Sequence, residues 1–578
     1  MSPDEFEQLV RSGRSFERAK ISGFDLHGRD LRGAKLRGAR LSRVNLEGAN
    51  LAGADLRGAA LVECSLEGAD CSNADLGELV FLSGNLKAAR LNDASLEKAR
   101  LVRADLEGAD LSGARLEEVV LISADLTSAK LVRALLVSAR LDMAKLPGAD
   151  ATGAVIRKAS FSRADLGGVV LRDATVEEAV FAGANLSRAD LTGATVDRSV
   201  FFEADLRGAK LPGTLTSSVL DGAKLGAPDL ENVNLAGSDM DGAKLEHVNL
   251  RGADLTGTSL RGTDLRGADL GGAKLERTVL AGCQLQGARF GGTSLTSVFL
   301  MDANLTGTDL SGMRFEAVLF NRADLSGAKL TGAHVERAVM ESVKLAGADL
   351  TRATFLQVLL TDVDLKGAVL ERTVFRGANF GPADLRAAPL RSVTLERCGF
   401  VGANLAGQDL SGCNLTDSNF SEADLTGADL SGATLERTTF RAANLTLARF
   451  EGAFAKYGYF GEAKLRAARF GGAKLRYALF LDADLETADL AATDLRSSTF
   501  LRAAARGALF TRASMQHADL SYADVRGADF TGADLDRANL HCVKDSPLTW
   551  HGARAATARR TDEEKQAAET WQPPQPAR

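Results

Sequence analysis

The sequence predicts an all-β protein, a quadrilateral β-helix (β-solenoid) of about 26 coils, from two superimposed periodicities. The first is a five-residue beat, in which leucine or another apolar residue recurs over residues 26–211 and again over 215–540. The second is a twenty-residue beat, at which a larger apolar residue replaces leucine, as at Phe161, Phe181 and Phe201. Four beats therefore make one circuit, and one of the four sides differs chemically from the others.

An α-helix does not fit the five-residue beat. Five residues advance a helix by about 500°, so successive leucines would wander around its axis. A three-residue strand and a two-residue corner fit better, because Ala268 and Leu270 then share one side and Asp269 takes the other. Gly271 and Gly272 turn the chain, and glycine is common at the second corner position, where we expect a positive φ.

The repeat divides the chain into three predicted parts. Residues 1–23 form an N-terminal cap helix and lead-in, residues 24–540 the β-helix, and residues 541–578 a C-terminal tail that is partly helical or disordered. The beat shifts by one residue near 211–215, where Pro212 and Gly213 predict an altered corner.

Both ends of the β-helix need a capping element, because the open strand edges of the terminal coils can pair with other chains. The N-terminal run Ser2-Pro3-Asp4-Glu5 has the N-cap, first-position proline and capping-box glutamate of a helix start. At the other end, Trp571 is a candidate anchor of a docking peptide. The alternative for the tail is a cap followed by an extended or disordered end, QPPQPAR.

Inside the predicted coils, the leucines stack and alanine fills a second, smaller inward position. Ala455 stands where leucine is expected, and two interpretations stay open: a small core residue, or a slip of register that turns Phe454 inward. Five cysteines fall at inward positions and predict buried structural thiols. They are Cys64, Cys71, Cys283, Cys398 and Cys413.

The sequence predicts no enzyme, no cofactor and no metal site. It contains no Cys/His pattern with metal spacing, no G-x-x-x-x-G-K-[ST] phosphate loop and no G-x-S-x-G elbow. The six histidines are scattered and are interpreted as solvated surface residues. Cys542 lies just beyond the repeats, and two interpretations stay open: a reactive thiol, or the incidental cysteine that is usual in a tail.

The charge balance and the termini limit the classes of partner. Lys and Arg total 70 against 76 Asp and Glu, a net charge of −6, which argues against direct nucleic-acid binding. No apolar run reaches the roughly 20 residues of a membrane span. The N-terminus lacks the basic start and apolar core of a secretory signal, so we expect a cytoplasmic protein, with leaderless export left open.

One predicted side carries apolar residues at its outward position, where the other sides hold charges or amides. The candidate protein interface consists of Val279, Phe299, Leu319, Val339, Leu359, Tyr459 and Leu479. A contiguous exposed apolar patch marks an interface. The alternatives are a strand preference for β-branched residues and a change of turn that tips these side chains inward. The predicted partner is an unidentified protein or a second copy of the chain, as in a homodimer.

A column of charges on another side alternates in sign. It reads Asp269, Arg289, Asp309, Lys329 and Asp349. Opposite charges on neighbouring strands attract, so the column predicts a surface ladder in which each contact contributes little. A mimic of duplex DNA needs columns of one sign, so the alternation argues against DNA mimicry.

The tandem motif A-[D/N]-L-x-x, as in GANLAGADL from Gly48 and EADLTGADL from Glu422, resembles the pentapeptide-repeat family over about nine-tenths of the chain. The resemblance implies a right-handed quadrilateral β-helix with leucine, phenylalanine and small residues inside. It does not imply one activity, because a fold does not determine function. The lead-in from Ser2 to Gly28 is similar to the openings of pentapeptide segments attached to bacterial type VI secretion accessory proteins.

Two function classes follow from the residues and the resemblance. The first is a non-catalytic, rod-like scaffold or adaptor that binds a protein through its apolar face, with a type VI-like secretion accessory as one setting. The alternative is a DNA-mimicking modulator of a type II topoisomerase, as some family members are. Those relatives are shorter and more consistently acidic, so the scaffold is the preferred hypothesis.

Overall fold

The protein folds as a parallel β-helix, which confirms the predicted fold class. The computed structural model describes residues 2–226, 229–391, 393–546 and 549–572. These residues form two compact units, Met1–Thr293 and Ser294–Arg578. Each unit is built from coils of four short sides and four two-residue corners.

Backbone hydrogen bonds join each coil to the next and pair residues that are twenty positions apart, such as Asp424 and Asn444. In the second unit the Leu425 amide donates to the Asn444 carbonyl at 2.8 Å, and the Asn444 amide donates to the Ala423 carbonyl at 2.9 Å. All the bridges between coils are parallel. The structure therefore confirms the predicted twenty-residue circuit.

The one-residue skip is visible as a change in this separation. Thr195 pairs with Thr214 and Val200 with Val219, both nineteen residues apart. The separation returns to twenty residues one coil later, where Thr214 pairs with Asn234. The coil that contains Pro212 and Gly213 is therefore one residue shorter than the others, and the register continues unchanged after it.

Most corners are closed turns whose second residue has a positive φ. The Ala273 amide donates to the Leu270 carbonyl at 3.0 Å, and Gly272 has φ +69°. One corner later in the chain, Arg277 adopts φ +58° without glycine. Glycine is therefore favoured at this position, but the register of the coils does not depend on it.

Three parallel ladders in the described residues have strands of three residues. In the first unit, one ladder contains β1 Lys20–Ser22, β2 Arg40–Ser42 and β3 Ala60–Val62, and the other contains β4 Leu135–Val137, β5 Val155–Arg157, β6 Thr175–Glu177, β7 Thr195–Asp197 and β8 Thr214–Thr216. The ladder of the second unit contains β9 Ser294–Thr296, β10 Arg314–Glu316, β11 His334–Glu336, β12 Thr354–Leu356, β13 Val374–Arg376 and β14 Thr394–Glu396. The remaining sides pair through single bridges.

A short helix lies at each end of the described chain. Helix α1, Pro3–Arg11, has the predicted capping box, in which the Ser2 hydroxyl accepts from the Glu5 amide at 3.2 Å. Phe6 of this helix is buried, and its ring centroid lies 4.6 Å from that of Phe16, so the helix packs on the first coil. Helix α2, Glu563–Thr570, buries none of its residues.

The core of the second unit contains a continuous stack of seven phenylalanine rings. Successive ring centroids are 4.5–5.3 Å apart and nearly parallel. The rings belong to Phe380, Phe400, Phe420, Phe440, Phe460, Phe480 and Phe500. Ala455 is fully buried and the Phe454 side chain points outward, 45% exposed. The chain therefore keeps its register here, and the alternative in which Phe454 turns inward is wrong.

Candidate functional site

The predicted interface residues all occupy the outward position of one side, and their side chains are half-buried. Val279 lies in the first unit, where it pairs with Ser259. The other six lie in the second unit. Four of these form what we call the apolar column, in which each residue pairs with the next, one coil on: Phe299, Leu319, Val339 and Leu359.

The corners before the apolar column fix the direction of its side chains. Strands β9 to β12 run into corners whose second residues have positive φ values, for example Ala317 at +53° and Arg337 at +53°. The residues just before and just after each column residue point inward, so Val318 and Phe320, which flank Leu319, are buried. Alternation along the strand therefore directs the column away from the core.

Polar pairs border the apolar column on both sides. On one side Arg337 forms an ion pair with Glu316. On the other side the Asn321 amide donates to Glu341 at 3.2 Å. An apolar strip with a polar rim is the usual anatomy of a protein interface.

Tyr459 and Leu479 form a second apolar pair, several coils beyond the column. They pair with each other in register, and the Tyr459 ring lies over Gly461, which has no side chain to obstruct it. They adjoin a feature that the sequence analysis missed, which we call the aromatic corner. It consists of Phe454, Lys456, Tyr457, Lys474, Arg476 and Tyr477.

The aromatic corner places exposed rings and cations side by side. The Tyr457 and Tyr477 rings stack at 5.1 Å between centroids, with 12° between their planes, and Tyr457 is 46% exposed. Lys456 lies 4.8 Å from the Tyr457 ring centroid, and Arg476 lies 4.9 Å from that of Tyr477. The signal that could have revealed this corner is the pair of tyrosines exactly one circuit apart.

The candidate tail anchor Trp571 ends helix α2 and is 69% exposed. The helix is held to its own unit by Glu569, which accepts from the Tyr522 hydroxyl and lies 3.1 Å from His541. His541 is only 3% exposed. The interpretation of all six histidines as solvated is therefore wrong at His541, because the tail covers it.

The repeated aspartate or asparagine has a structural role that the sequence analysis did not assign. Its side chain accepts a hydrogen bond from the amide two residues later and so closes the corner. The Asp349 carboxylate accepts from the Thr351 amide at 3.0 Å and from the Thr331 hydroxyl at 3.0 Å. Hydrogen bonds from Thr351 hold the pKa of Asp349 below its usual range. Either Asp or Asn can supply this acceptor, which explains the motif.

The five inward cysteines are buried, as their positions predicted. Burial raises the pKa of Cys71, Cys283 and Cys398 to about 12. Among the described residues, no three His, Cys, Asp or Glu side chains are grouped as a metal site would require. Neither helix in the described part of the chain is long and apolar enough to cross a membrane.

Comparison with known proteins identifies the family. A model described as pentapeptide repeats matches residues 15–173, 179–215, 218–391, 398–454, 463–502 and 513–544. A comparison with curated sequences returned no match.

Three solved structures illustrate the likeness. QnrB1, a plasmid-mediated fluoroquinolone resistance protein, is 20% identical over 38% of this chain and 89% of its own, with a TM-score of 0.25. HetL, involved in heterocyst differentiation regulation in the cyanobacterium Nostoc sp. strain PCC 7120, is 26% identical over 50% of this chain and 96% of its own, with a TM-score of 0.17. A thylakoid-lumen protein from Arabidopsis thaliana is 32% identical over 23% of this chain and 81% of its own, with a TM-score of 0.13. The TM-scores are low, and the assignment rests on the sequence match: the chain belongs to the pentapeptide-repeat family.

Proposed function

We propose that the protein is a non-catalytic scaffold that binds a protein partner through the apolar column. The supporting observation is the outward placement of Phe299, Leu319, Val339 and Leu359 in four consecutive coils. Three coil spacings of about 4.8 Å separate the first and last backbone positions, so the column extends over about 15 Å. An apolar ribbon of that height gives a partner a continuous surface to cover.

The dimensions of the column favour a protein over a small molecule. A small ligand is usually held in a concave pocket that buries most of its surface. The column is instead one residue wide and is bordered by polar pairs such as Arg337 with Glu316. A stable protein interface buries about 800 Å² on each partner. The column would therefore form the centre of an interface whose rim includes these polar pairs.

Two more specific roles remain predictions. The secretion-associated role depends on the lead-in from Ser2 to Gly28, whose helix α1 packs on the first coil. The topoisomerase role depends on the family resemblance, and the alternating charges give it no additional support. The identity of the partner distinguishes these two roles: a secretion component would indicate the first, and a topoisomerase subunit the second.

The test is affinity capture from the native cell with the full chain, comparing wild type with Phe299→Asp/Leu319→Asp. Aspartate fits this outward position, because Asp519 occupies it elsewhere in the same unit. The matched control is Leu447→Asp/Leu509→Asp, which changes two side chains of the second unit that are 57% and 41% exposed. Circular dichroism checks that both variants keep the wild-type melting temperature, and light scattering measures self-association.

We expect the column variant to lose its partner, or its self-association, while the control variant retains it. Removal of a single hot-spot residue costs about 2 kcal/mol or more, so with one hot spot among the two substituted residues the affinity should fall by at least about 30-fold. A topoisomerase subunit among the proteins lost would favour the modulator, and a secretion component would favour the accessory role. Equal capture and equal mass in all three proteins would contradict the proposal.

A further inference from the structure

Residues 441–480 of the second unit are far more positively charged than the chain average. The whole chain has a net charge of −6. This segment holds eight Lys and Arg but only two acidic residues, Glu451 and Glu462, and so carries a net charge of +6. A partner that approaches these coils therefore meets a positive surface, although the average composition argues against an anionic ligand.

Four of the other five cations of the segment form ion pairs with carboxylates, whereas the cations of the aromatic corner do not among the described residues. Arg441 pairs with Glu462, and Arg449 and Arg469 both pair with Glu451. Within the described residues, no carboxylate lies within salt-bridge distance of the corner cations. These are Lys456, Lys474 and Arg476.

Aromatic rings take the place of carboxylates beside these cations. Lys474 pairs in register with Phe454 on the preceding coil and lies 4.6 Å from its ring centroid. Arg476 also donates to the Tyr477 hydroxyl at 3.0 Å. A cation–π contact at an exposed site contributes about 0.5–1 kcal/mol and leaves the positive charge in place. The rings thus orient the cations without neutralising them.

We propose that the aromatic corner binds an acidic peptide segment of a protein partner. The three cations lie within two adjacent coils and complement a run of neighbouring carboxylates, although Asp494 on the next coil pairs in register with Lys474 and feels the charge of Arg476. The half-exposed Tyr457 ring and the adjacent Tyr459 and Leu479 side chains supply apolar contact for the residues between those carboxylates. Tyrosine and arginine are also the residues that most often dominate protein interfaces.

The ring geometry favours an acidic peptide over a single-stranded nucleic acid. Proteins that bind single strands stack bases on open aromatic faces. Here the Tyr457 and Tyr477 rings stack on each other, and each also has a cation within 5 Å of its centroid. A base would have to displace these contacts, whereas a carboxylate can approach the cations beside the rings.

The test is fluorescence anisotropy of labelled hexaglutamate with the full chain, and hexaglutamine is the neutral probe. Wild type should bind hexaglutamate with at least tenfold higher affinity than hexaglutamine. Lys456→Gln/Arg476→Gln should weaken hexaglutamate binding at least tenfold. The matched control Lys366→Gln/Arg512→Gln removes the same charges from two exposed positions of the same unit and should change the affinity less than twofold. Tyr457→Leu/Tyr477→Leu keeps all charges and should weaken binding about threefold or more, because the cations lose their orienting rings.

Three results would overturn the proposal: no hexaglutamate binding by wild type, equal weakening in the corner and control variants, or tighter binding of a thymidine hexanucleotide than of hexaglutamate. The corner lies outside the apolar column, so Phe299→Asp/Leu319→Asp should bind hexaglutamate like wild type. Failure of this inference is therefore distinguishable from failure of the proposed scaffold function. Circular dichroism melting of each variant confirms that any loss of binding occurs in folded protein.

Discussion

The phenylalanine stack predicts a stability difference between two substitutions of the same kind in the same unit. Phe440 is fully buried and makes three ring contacts, with Phe420 at 5.3 Å, Phe460 at 5.1 Å and Phe450 at 5.9 Å. Phe320 is 1% exposed, occupies the same inward position in an earlier coil, and within the described residues contacts one ring, that of Phe315 at 5.4 Å. Substitution by leucine removes the same atoms at both positions, so the two variants differ mainly in the ring contacts that are lost.

The expected difference follows from the number of ring pairs. Each aromatic pair contributes about 0.5–1.5 kcal/mol beyond its buried area. Phe440→Leu removes two more pairs than Phe320→Leu, so its coil should open more easily by about 1–3 kcal/mol. That difference corresponds to about a 5- to 150-fold increase in the equilibrium constant for local opening.

Hydrogen exchange is the suitable assay, because repeat proteins open locally and a single midpoint would average over many coils. The Phe440 and Phe320 amides both donate to the next coil at 2.7 Å, so their protection can be compared directly. Each variant is compared with wild type through the exchange rates of peptides that cover the substituted coil. Equal loss of protection in both variants, or a larger loss in Phe320→Leu, would refute the reasoning.

Three further predictions follow from the side chains described above. Asp349→Ala should destabilise its coil by about 1–2 kcal/mol, measured by hydrogen exchange of peptides that cover that coil, because the Thr351 amide loses its acceptor. Asp349→Asn should stay within about 0.5 kcal/mol of wild type, and equal effects of the two substitutions would contradict the capping role. Arg386 donates to Asp384 and lowers the pKa of that carboxyl to about 2. This pair stabilises the fold at pH values above the unfolded-state pKa of Asp384, and the stabilisation is lost as the pH falls toward 2. Arg386→Gln should therefore raise the pKa of Asp384 toward 3.8 in a carbon-13 NMR titration, and an unchanged value would show that Arg386 is not the cause. With a thiol reagent at pH 8, only Cys542 should react rapidly in the native chain, because the other five cysteines are buried. All six should react in guanidinium, and rapid reaction of more than one thiol in the native chain would contradict that burial.

The features that repeat along the chain were predictable from sequence, because the same residue type recurs at the same position of many successive coils. The inward position of Phe440, the buried cysteines and the one-residue skip at Pro212 all follow from counting in fives and twenties. The N-terminal helix was predictable for a different reason, since the capping box of Ser2 and Glu5 is a local signal.

The features that the sequence analysis missed depend on contacts between residues that carry no repeat signal. His541 is buried where Glu569 and the Asp562 amide of the tail contact its ring, and nothing in the five-residue beat predicts where the tail folds back. Tyr457 and Tyr477 stand at corner positions, where the fold accepts almost any side chain. Counting the net charge over the whole chain concealed the positive segment around them.

The uniform spacing of inter-coil hydrogen bonds has a consequence for how such a gene can change in length. Removing residues 404–423 would join Ala403 to Asp424 and leave each remaining residue on its original side, since Asn404 and Asp424 are equivalent positions in successive circuits. Removing five residues would instead move every later residue to the neighbouring side and break up the phenylalanine stack. Duplications and losses of sixty nucleotides are therefore the changes that the fold can tolerate most readily, and the corner at Pro212 and Gly213 shows that one coil can also be a residue shorter.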